Sequence, residues 1–201
     1  MLFRSGFAYL QLTLQWLPTV ASSYCSNSSL NMFTIHGLWP NNNDGSYPCY
    51  CSSESFDPSK VQDLLAEMDK LWPSFNPSSS NDKFWSHEWG KHGTCAADDP
   101  AIGSMYGYFY HGLGLRNKFS PASVLANKGI KPDDNYYYYE SDVLSALKSG
   151  LGHNVVLSCD NYGNIEELDV CVDRSLAIMD CPSSSQSQCP SKVYLPRTKP
   201  H

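Results

Sequence analysis

Residues 84–95 of this chain read FWSHEWGKHGTC. We predict that most of this stretch forms a helix, in which residues four apart share one side. His87 therefore lies beside Lys91. In the same way, Glu88 lies beside His92. Four ionisable groups are unusual for a helical core face, and the neighbouring aromatic residues are unusual for a solvated face held by salt bridges. The pattern favours a reactive site, with the solvated face as the alternative.

The second informative stretch, residues 33–40, reads FTIHGLWP. Bulky apolar and polar side chains alternate there, which predicts a strand over residues 32–38. Thr34 and His36 lie on the polar face of that strand, and we expect Pro40 to end it. This stretch therefore supplies a histidine from an element other than the predicted helix.

Two histidines from separate elements suit acid–base transfer at phosphorus. One imidazole would remove a proton from a hydroxyl nucleophile and the other would protonate the leaving oxygen, since a histidine pKa of about 6.5 suits both tasks near neutral pH. A nearby lysine would stabilise the charge that gathers on the phosphoryl oxygens. No metal is required if the nucleophile is a ribose 2′-hydroxyl. The residues therefore allow phosphodiester cleavage without demanding it.

Two other chemistries fit the residues less well. His87 and Glu88 begin like the H-E-x-x-H zinc motif, but the next histidine is five positions on and turns about 140° away, whereas chelation needs a spacing of four. Acyl transfer needs a serine or cysteine nucleophile beside one histidine, and we expect Cys95 to be bridged instead. The remaining histidines are expected to be surface or terminal groups: His111, His153 and His201.

The composition limits the classes of protein that remain. The chain has 201 residues, 41% of them hydrophobic, which suits one domain or at most two small ones. Its net charge is -6, whereas a protein that holds nucleic acid by neutralising many phosphates is basic. Any nucleic-acid role must therefore rest on a local site. The sequence contains no apolar run long enough to span a membrane, so we expect no membrane partner.

The cysteines indicate an oxidising compartment. An even number spread along the chain predicts four disulfides, although eight cysteines allow roughly a hundred pairings. Zinc binding is disfavoured because Cys49 and Cys51 are too close for a ligand pair and no second close pair follows. A sequon at Asn27 is consistent with secretion, and we attribute the lack of a visible signal peptide to a truncated or processed start. The eight are Cys25, Cys49, Cys51, Cys95, Cys159, Cys171, Cys181 and Cys189.

The order of elements predicts the fold class. Apolar and polar residues alternate over residues 9–16, as in a strand with one buried face, and further strands are predicted at 155–159 and 168–172 with a turn at 161–164. The predicted helices run from Asp57 to Pro73, over 84–92 as far as Gly93, from Asp99 past Leu113, from Ser120 to Gly129, and from Glu140 to Gly150. Strands, then helices, then strands favour an α+β fold, with helices packed against an antiparallel sheet.

Residues 34–40 and 86–95 resemble the two active-site segments of the ribonuclease T2 family, in particular its plant S-like members. The resemblance implies a disulfide-stapled α+β fold and a single domain over residues 1–201. It also implies endonucleolytic cleavage of single-stranded RNA to 2′,3′-cyclic phosphate ends, with no metal and no cofactor. It extends over nearly the whole chain, through residues 14–16, 113–116, 129–132, 146–148 and 170–173.

The resemblance assigns catalytic roles to five residues. His92 and His36 become the acid–base pair, with His92 as the base towards the 2′-hydroxyl and His36 as the acid towards the 5′-oxygen. Glu88 and Lys91 would stabilise the pentacovalent phosphorane. His87 would hold the phosphate or the substrate.

Three further residues are implied in substrate binding. Trp39 would pack beside the site, and Gln15 and Phe84 match residues that contact a base. Gln15 lies on the polar face of the first predicted strand, and an aromatic ring such as that of Phe84 suits single-stranded RNA, whose bases are free to stack. A purely structural role remains the alternative for Gln15 and Phe84.

The resemblance also pairs the cysteines and suggests the setting of the protein. The implied protein is a monomer that is secreted or vacuolar and reaches its compartment by the secretory pathway. The alternatives are a catalytically idle storage or defence relative, and a disulfide-stapled binding module. The implied disulfides are Cys51–Cys95, Cys159–Cys189 and Cys171–Cys181, which leaves Cys25 with Cys49.

Overall fold

The computed structural model describes residues 6–21, 31–183 and 185–197. The strands in this part of the chain are β1 (Tyr9–Trp16), β2 (Phe33–Asn41), β3 (Tyr137–Tyr139), β4 (Val156–Cys159), β5 (Ile165–Val172), β6 (Ile178–Met179) and β7 (Lys192–Tyr194). The main sheet is antiparallel and has the order β2-β1-β5-β4, with β6 also paired to β5. A second, small sheet pairs β3 with β7.

Helices fill the middle of the chain, as predicted for an α+β fold. They are α1 (Leu17–Val20), α2 (Leu65–Leu71), α3 (Asn81–Glu88), α4 (Thr94–Ala96), α5 (Met105–Phe119), α6 (Pro121–Asn127) and α7 (Glu140–Leu151). A 3₁₀ turn precedes α2 at Pro58–Val61, and a π turn connects α3 to α4 at Trp89–Gly93. The predicted fold class, an antiparallel sheet with helices packed on it, is confirmed.

The alternation of β1 separates the core from the site. Its apolar residues are buried in the hydrophobic core, and α5 packs on this part of the sheet: Leu10, Leu12, Leu14 and Trp16. Its polar residues point to the other face of the sheet, as the two-residue period of a strand requires: Gln11, Thr13 and Gln15. Thus the helices cover one face, and the opposite face is left for polar side chains.

The expectation that Pro40 ends the second strand was wrong. β2 continues through this residue to Asn41, and Pro40 pairs with Leu10 of β1. β2 is the edge strand of the sheet, where a proline lacking an N–H group can be accommodated on the unpaired side.

Several predicted helix ends also shift. Asp57 does cap a helical turn, accepting a hydrogen bond from the backbone N–H of Ser59, but that turn is the 3₁₀ turn and α2 follows separately. α5 does not begin at Asp99. Gly103, with a φ of 67°, lies outside helical geometry, and Ser104 caps α5 after it. α7 continues past Gly150 to Leu151, and Gly152, whose φ is 82°, caps it.

Three of the implied disulfides are present: Cys51–Cys95, Cys159–Cys189 and Cys171–Cys181. Cys49 is exposed and has no disulfide partner among the described residues. Its expected partner, Cys25, and the sequon at Asn27 both lie outside that set, so this fourth pairing stays a prediction. Within the described ranges, no helix is both long and apolar enough to cross a membrane.

Candidate active site

A bulge in the main sheet presents His36. Thr13 of β1 pairs with Gly37, but the next residue, Leu14, pairs with Ile35. His36 is therefore the extra residue on β2, and a bulge of this kind bends the strand and redirects a side chain. The backbone carbonyl of His36 accepts a hydrogen bond of 2.9 Å from the indole N–H of Trp72, which fixes the bulge against the helical layer.

The second motif is a helix that changes its winding. The predicted end near Gly93 was wrong, because the chain passes from α3 through the π turn into α4 without leaving helical geometry. Gly93 is needed for close packing instead, since a Cβ atom there would overlap the ring of Trp89. Single π turns inside helices are frequent at functional sites. Here the π turn carries Lys91 and His92.

The loop before α2 holds this π turn in place. The backbone N–H of Tyr50 donates to the carbonyl of Lys91 at 3.0 Å, and the Cys51–Cys95 disulfide follows immediately. The hydroxyl of Thr94 donates to the carbonyl of Gly90 at 2.9 Å, four residues back. The disulfide thus ties the segment after β2 to the segment that carries His92, as expected from the implied pairing.

Trp39 connects the two histidines. Its ring stacks on that of His92, with centroids 5.3 Å apart, and meets the ring of His36 edge-on at 5.0 Å. Its indole N–H donates a 2.8 Å hydrogen bond to the buried carboxyl of Glu88. Gly37 makes this packing possible, because a Cβ atom there would overlap both the indole nitrogen of Trp39 and the carboxyl of Glu88.

His92 is held in its neutral form. Burial lowers its pKa to about 3, and the positive charges of Lys91, His87 and His36 act in the same direction. The side chain is buried, and its Nδ1 atom has no hydrogen-bond partner among the described residues. At neutral or mildly acidic pH, this imidazole can accept a proton.

The pKa of His36 is shifted in the opposite direction. Burial alone would lower its pKa, but the 2.6 Å contact of its Nδ1 atom with a carboxylate oxygen of Glu167 outweighs that effect and raises the pKa above the ordinary value. The negative charges of Glu88 and Asp169 add to the rise. The imidazole of His36 therefore keeps its proton to a higher pH than an ordinary histidine does.

The pKa of Glu88 is also shifted from its ordinary value. Burial raises its pKa to about 7, and the hydrogen bond from Trp39 opposes the rise without cancelling it. Below neutral pH, Glu88 is therefore a neutral carboxylic acid, which can donate a hydrogen bond. A buried carboxylate would instead repel an anionic phosphate.

The other residues predicted for the site lie at different distances from His36 and His92. Phe84 lies near His36, with ring centroids 6.1 Å apart. His87 is exposed on α3, and burial together with the charges of Lys91 and His36 lowers its pKa. Gln15 is 7% exposed and lies beside Glu167 in the sheet register, away from the open cleft described next.

An open cleft of about 230 Å³ adjoins His92 and Trp39. Sequence reasoning predicted half of its lining and missed the rest, although Gln11 lies on the polar face of β1 that the alternation already indicated. The amide of Asn41 donates to that of Gln11 at 3.1 Å, which joins β2 to β1 beneath the cleft. The lining residues are Gln11, Trp39, Asn41, Tyr47, Lys91 and His92.

Comparison with known proteins identifies the family. The family model described as Ribonuclease T2 family matches residues 7–181, which contain both histidine motifs. The chain belongs to the ribonuclease T2 family. Membership makes it an RNA-cleaving endoribonuclease of the T2 type, as the two motif segments had suggested.

Individual T2 ribonucleases are similar over most of their length. The chain is 36% identical to Ribonuclease DdI of Dictyostelium discoideum, over 96% of this chain and 86% of that protein. It is 38% identical to Extracellular ribonuclease LE of Solanum lycopersicum, over 82% of this chain and 73% of that protein. The solved structure of RNase NT in complex with 5′-AMP superposes with a TM-score of 0.84 at 33% identity, covering 95% of this chain and 98% of that one.

Proposed function

We propose that this T2 ribonuclease cleaves single-stranded RNA by transphosphorylation, with His92 as general base and His36 as general acid. The ribose 2′-oxygen attacks the adjacent phosphorus while its proton passes to the neutral imidazole of His92. The bond from phosphorus to the 5′-oxygen breaks, and His36 gives that oxygen its proton. The products carry a 2′,3′-cyclic phosphate and a 5′-hydroxyl. The observation that carries this proposal is the opposite displacement of the two histidine pKa values around one indole ring.

Glu88 and Lys91 stabilise the pentacovalent phosphorane. Negative charge grows on the nonbridging phosphoryl oxygens in that state, and preorganised donors in a partly dry site act on it strongly. Lys91 supplies a positive charge at the cleft. Glu88, neutral below about pH 7, supplies a hydrogen-bond donor without adding a second negative charge. His87, exposed on the same helix, contacts a phosphate of the bound strand.

The substrate is single-stranded because its bases must leave their stack to enter the cleft. Trp39 and Tyr47 offer aromatic rings there, and base stacking on such rings contributes about 1–3 kcal/mol per base. Phe84, beside His36, is a second stacking ring, whereas the burial of Gln15 favours the structural alternative for that residue. With a net charge of -6, the protein grips only a few nucleotides at a time.

The setting follows from the chemistry and the disulfides. A ribose 2′-hydroxyl activated by a histidine needs no metal to generate the nucleophile, so the reaction proceeds without one. Three disulfides are typical of an oxidising compartment, and of two similar Solanum lycopersicum proteins one is extracellular and one intracellular by name. We therefore place the protein in the secretory pathway, as a monomer that acts outside the cell or in a vacuole.

Substitution of the two histidines tests the mechanism. His36→Ala and His92→Ala should each lower cleavage of dinucleoside monophosphates by about 10²–10⁴-fold, and EDTA should have no effect on the wild type. His111→Ala is the matched control, because that imidazole lies on α5 outside the cleft. Full activity in both active-site variants would overturn the mechanism. A wild-type protein that releases no nucleotides from RNA would instead favour a storage or defence role.

A further inference from the structure

We propose that Glu167 is a positioning residue for His36, which fixes the tautomer and the orientation of the imidazole and keeps it charged for proton transfer. This inference rests on the proposed function, in which His36 is the acid. Glu167 lies outside both sequence motifs, because it is on β5, 131 positions after His36. Its connection to the site appears only in the folded sheet.

The sheet register brings the two side chains together. β1 lies between β2 and β5, and Gln15 of β1 pairs with Thr34 on one side and with Glu167 on the other. Neighbouring strands are about 4.8 Å apart, so the side chains of His36 and Glu167 must reach across β1 to meet. The bulge at His36 makes this possible, and the resulting distance between Nδ1 and Oε1 is 2.6 Å.

This contact selects one tautomer. A carboxylate only accepts hydrogen bonds, so the Nδ1 atom of His36 must carry a hydrogen and donate it to Glu167. The other ring nitrogen, Nε2, is then the one that holds the proton for the leaving 5′-oxygen. After transfer, Nε2 carries a lone pair and Nδ1 keeps its hydrogen. A carboxylate behind a catalytic imidazole acts in this way in other acid–base sites.

Titratable groups from three elements act on the ring of His36. β5 supplies Glu166, Glu167 and Asp169, α3 supplies Glu88 and His87, and the π turn supplies His92. Of the four carboxyl groups, Glu167 is the one in hydrogen-bond contact with the imidazole.

Asp169 and Glu88 form hydrogen bonds with other side chains. Asp169 accepts a 2.7 Å hydrogen bond from Thr13, and its burial raises its pKa to about 6. Glu88 accepts from Trp39 and has a pKa of about 7. Both are therefore bound to other side chains, and Glu167 is the carboxyl group that positions the ring.

Two substitutions at Glu167 separate its charge from its shape. Glu167→Gln keeps an oxygen that accepts from Nδ1 and removes the negative charge, whereas Glu167→Ala removes both. Glu166→Gln is the matched control, because it makes the same change in charge at the neighbouring position of β5, where the carboxyl group acts on His36 through its charge and the hydrogen bond to the ring belongs to Glu167. NMR titration of the ring hydrogens of His36 and the pH dependence of kcat/KM are measured for each, with thermal unfolding as a check of folding.

In Glu167→Gln, the pKa of His36 should fall by about one pH unit or more, because an opposite charge in contact stabilises the imidazolium. The alkaline limb of kcat/KM should move down by the same amount, so that activity on that limb falls about tenfold while KM changes little. Glu166→Gln should shift the pKa of His36 and the alkaline limb of kcat/KM by no more than about a third of the shifts in Glu167→Gln. Glu167→Ala should in addition lower kcat on the acidic side, where the charge of His36 is complete and only its orientation is lost.

An unchanged titration of His36 in Glu167→Gln would overturn the inference, and so would an equal shift in Glu166→Gln. If Glu167→Ala does not fold, Glu167→Gln alone decides. The NMR titration needs no catalytic activity, so it tests the role of Glu167 separately from the proposed function. A wild-type protein that does not cleave RNA would end the proposed function, whatever the titration shows.

Discussion

The indole of Trp39 stacks on the imidazole of His92, with ring centroids 5.3 Å apart and ring planes inclined by 28°. The edge of the same residue contacts His36, and its N–H group is bound to Glu88. One rigid side chain therefore sets the spacing between the proposed base, the proposed acid and the carboxyl group that assists them. Because aromatic rings have few rotatable bonds, this arrangement keeps its geometry before substrate arrives.

Replacing Trp39 with phenylalanine should separate the two roles of the indole. Trp39→Phe keeps an aromatic ring against His92 but removes the hydrogen bond to Glu88. The pKa of Glu88 should then rise further above its present value of about 7, and an unpaired buried carboxyl should cost about 1–3 kcal/mol of stability. The measurements are carbon-13 NMR of the carboxyl group, thermal unfolding and RNA cleavage.

Trp85→Phe is the control for that substitution. The indole of Trp85 is buried, whereas that of Trp39 is half-buried, and it donates to the backbone carbonyl of Trp72, away from Glu88. Trp85→Phe should lose at least as much stability as Trp39→Phe and keep its cleavage rate. Equal losses of activity in the two variants would show that the indole of Trp39 acts only as core packing.

The pH dependence of kcat/KM should be displaced on both limbs. The base must be neutral, and burial lowers the pKa of His92 to about 3, so activity should persist well below the ordinary histidine range. The acid must be protonated, and the raised pKa of His36 should place the alkaline limb above about 6.5. Steady-state cleavage of a dinucleoside monophosphate between about pH 3 and 9 measures both limbs. An acidic limb near the ordinary histidine pKa would contradict the assignment of His92 as base.

The sequence predicts the local features of this site well. The alternation in β1 correctly separates the buried apolar face from the polar face that carries Gln11. The spacing of charged residues predicts that Glu88 and His92 share one side of the helix, and in the structure both contact the indole of Trp39. The resemblance to T2 ribonucleases adds the disulfide between Cys51 and Cys95, which spacing alone does not pair.

Features that depend on two distant segments escape sequence reasoning. The bulge at His36 is fixed by the register of β2 against β1, and its trace in β2 itself is that the buried hydrophobic residues step by three positions from Ile35 to Leu38. The π turn at His92 is held by the loop around Tyr50, whose approach no helical periodicity indicates. The contact of His36 with Glu167 needs a third strand between them. Such features follow from tertiary pairing, which overrides local preference.

Gly37 gives a direct test of how tightly the site is packed. A Cβ atom at this position would overlap the indole nitrogen of Trp39 and the carboxyl of Glu88, so Gly37→Ala must displace both. Overpacking of this kind costs about 1–3 kcal/mol, and the displacement should lower RNA cleavage by at least about tenfold. Thermal unfolding and kcat/KM on a dinucleoside monophosphate report the two effects.

The control is Gly90→Ala in the π turn, where the added methyl group meets nothing within 4 Å. Because alanine also favours helical backbone, this variant should be as stable as the wild type and equally active. Wild-type stability and activity in Gly37→Ala would mean that Trp39 and Glu88 can move apart freely, and that their contact does not set the geometry of the two histidines.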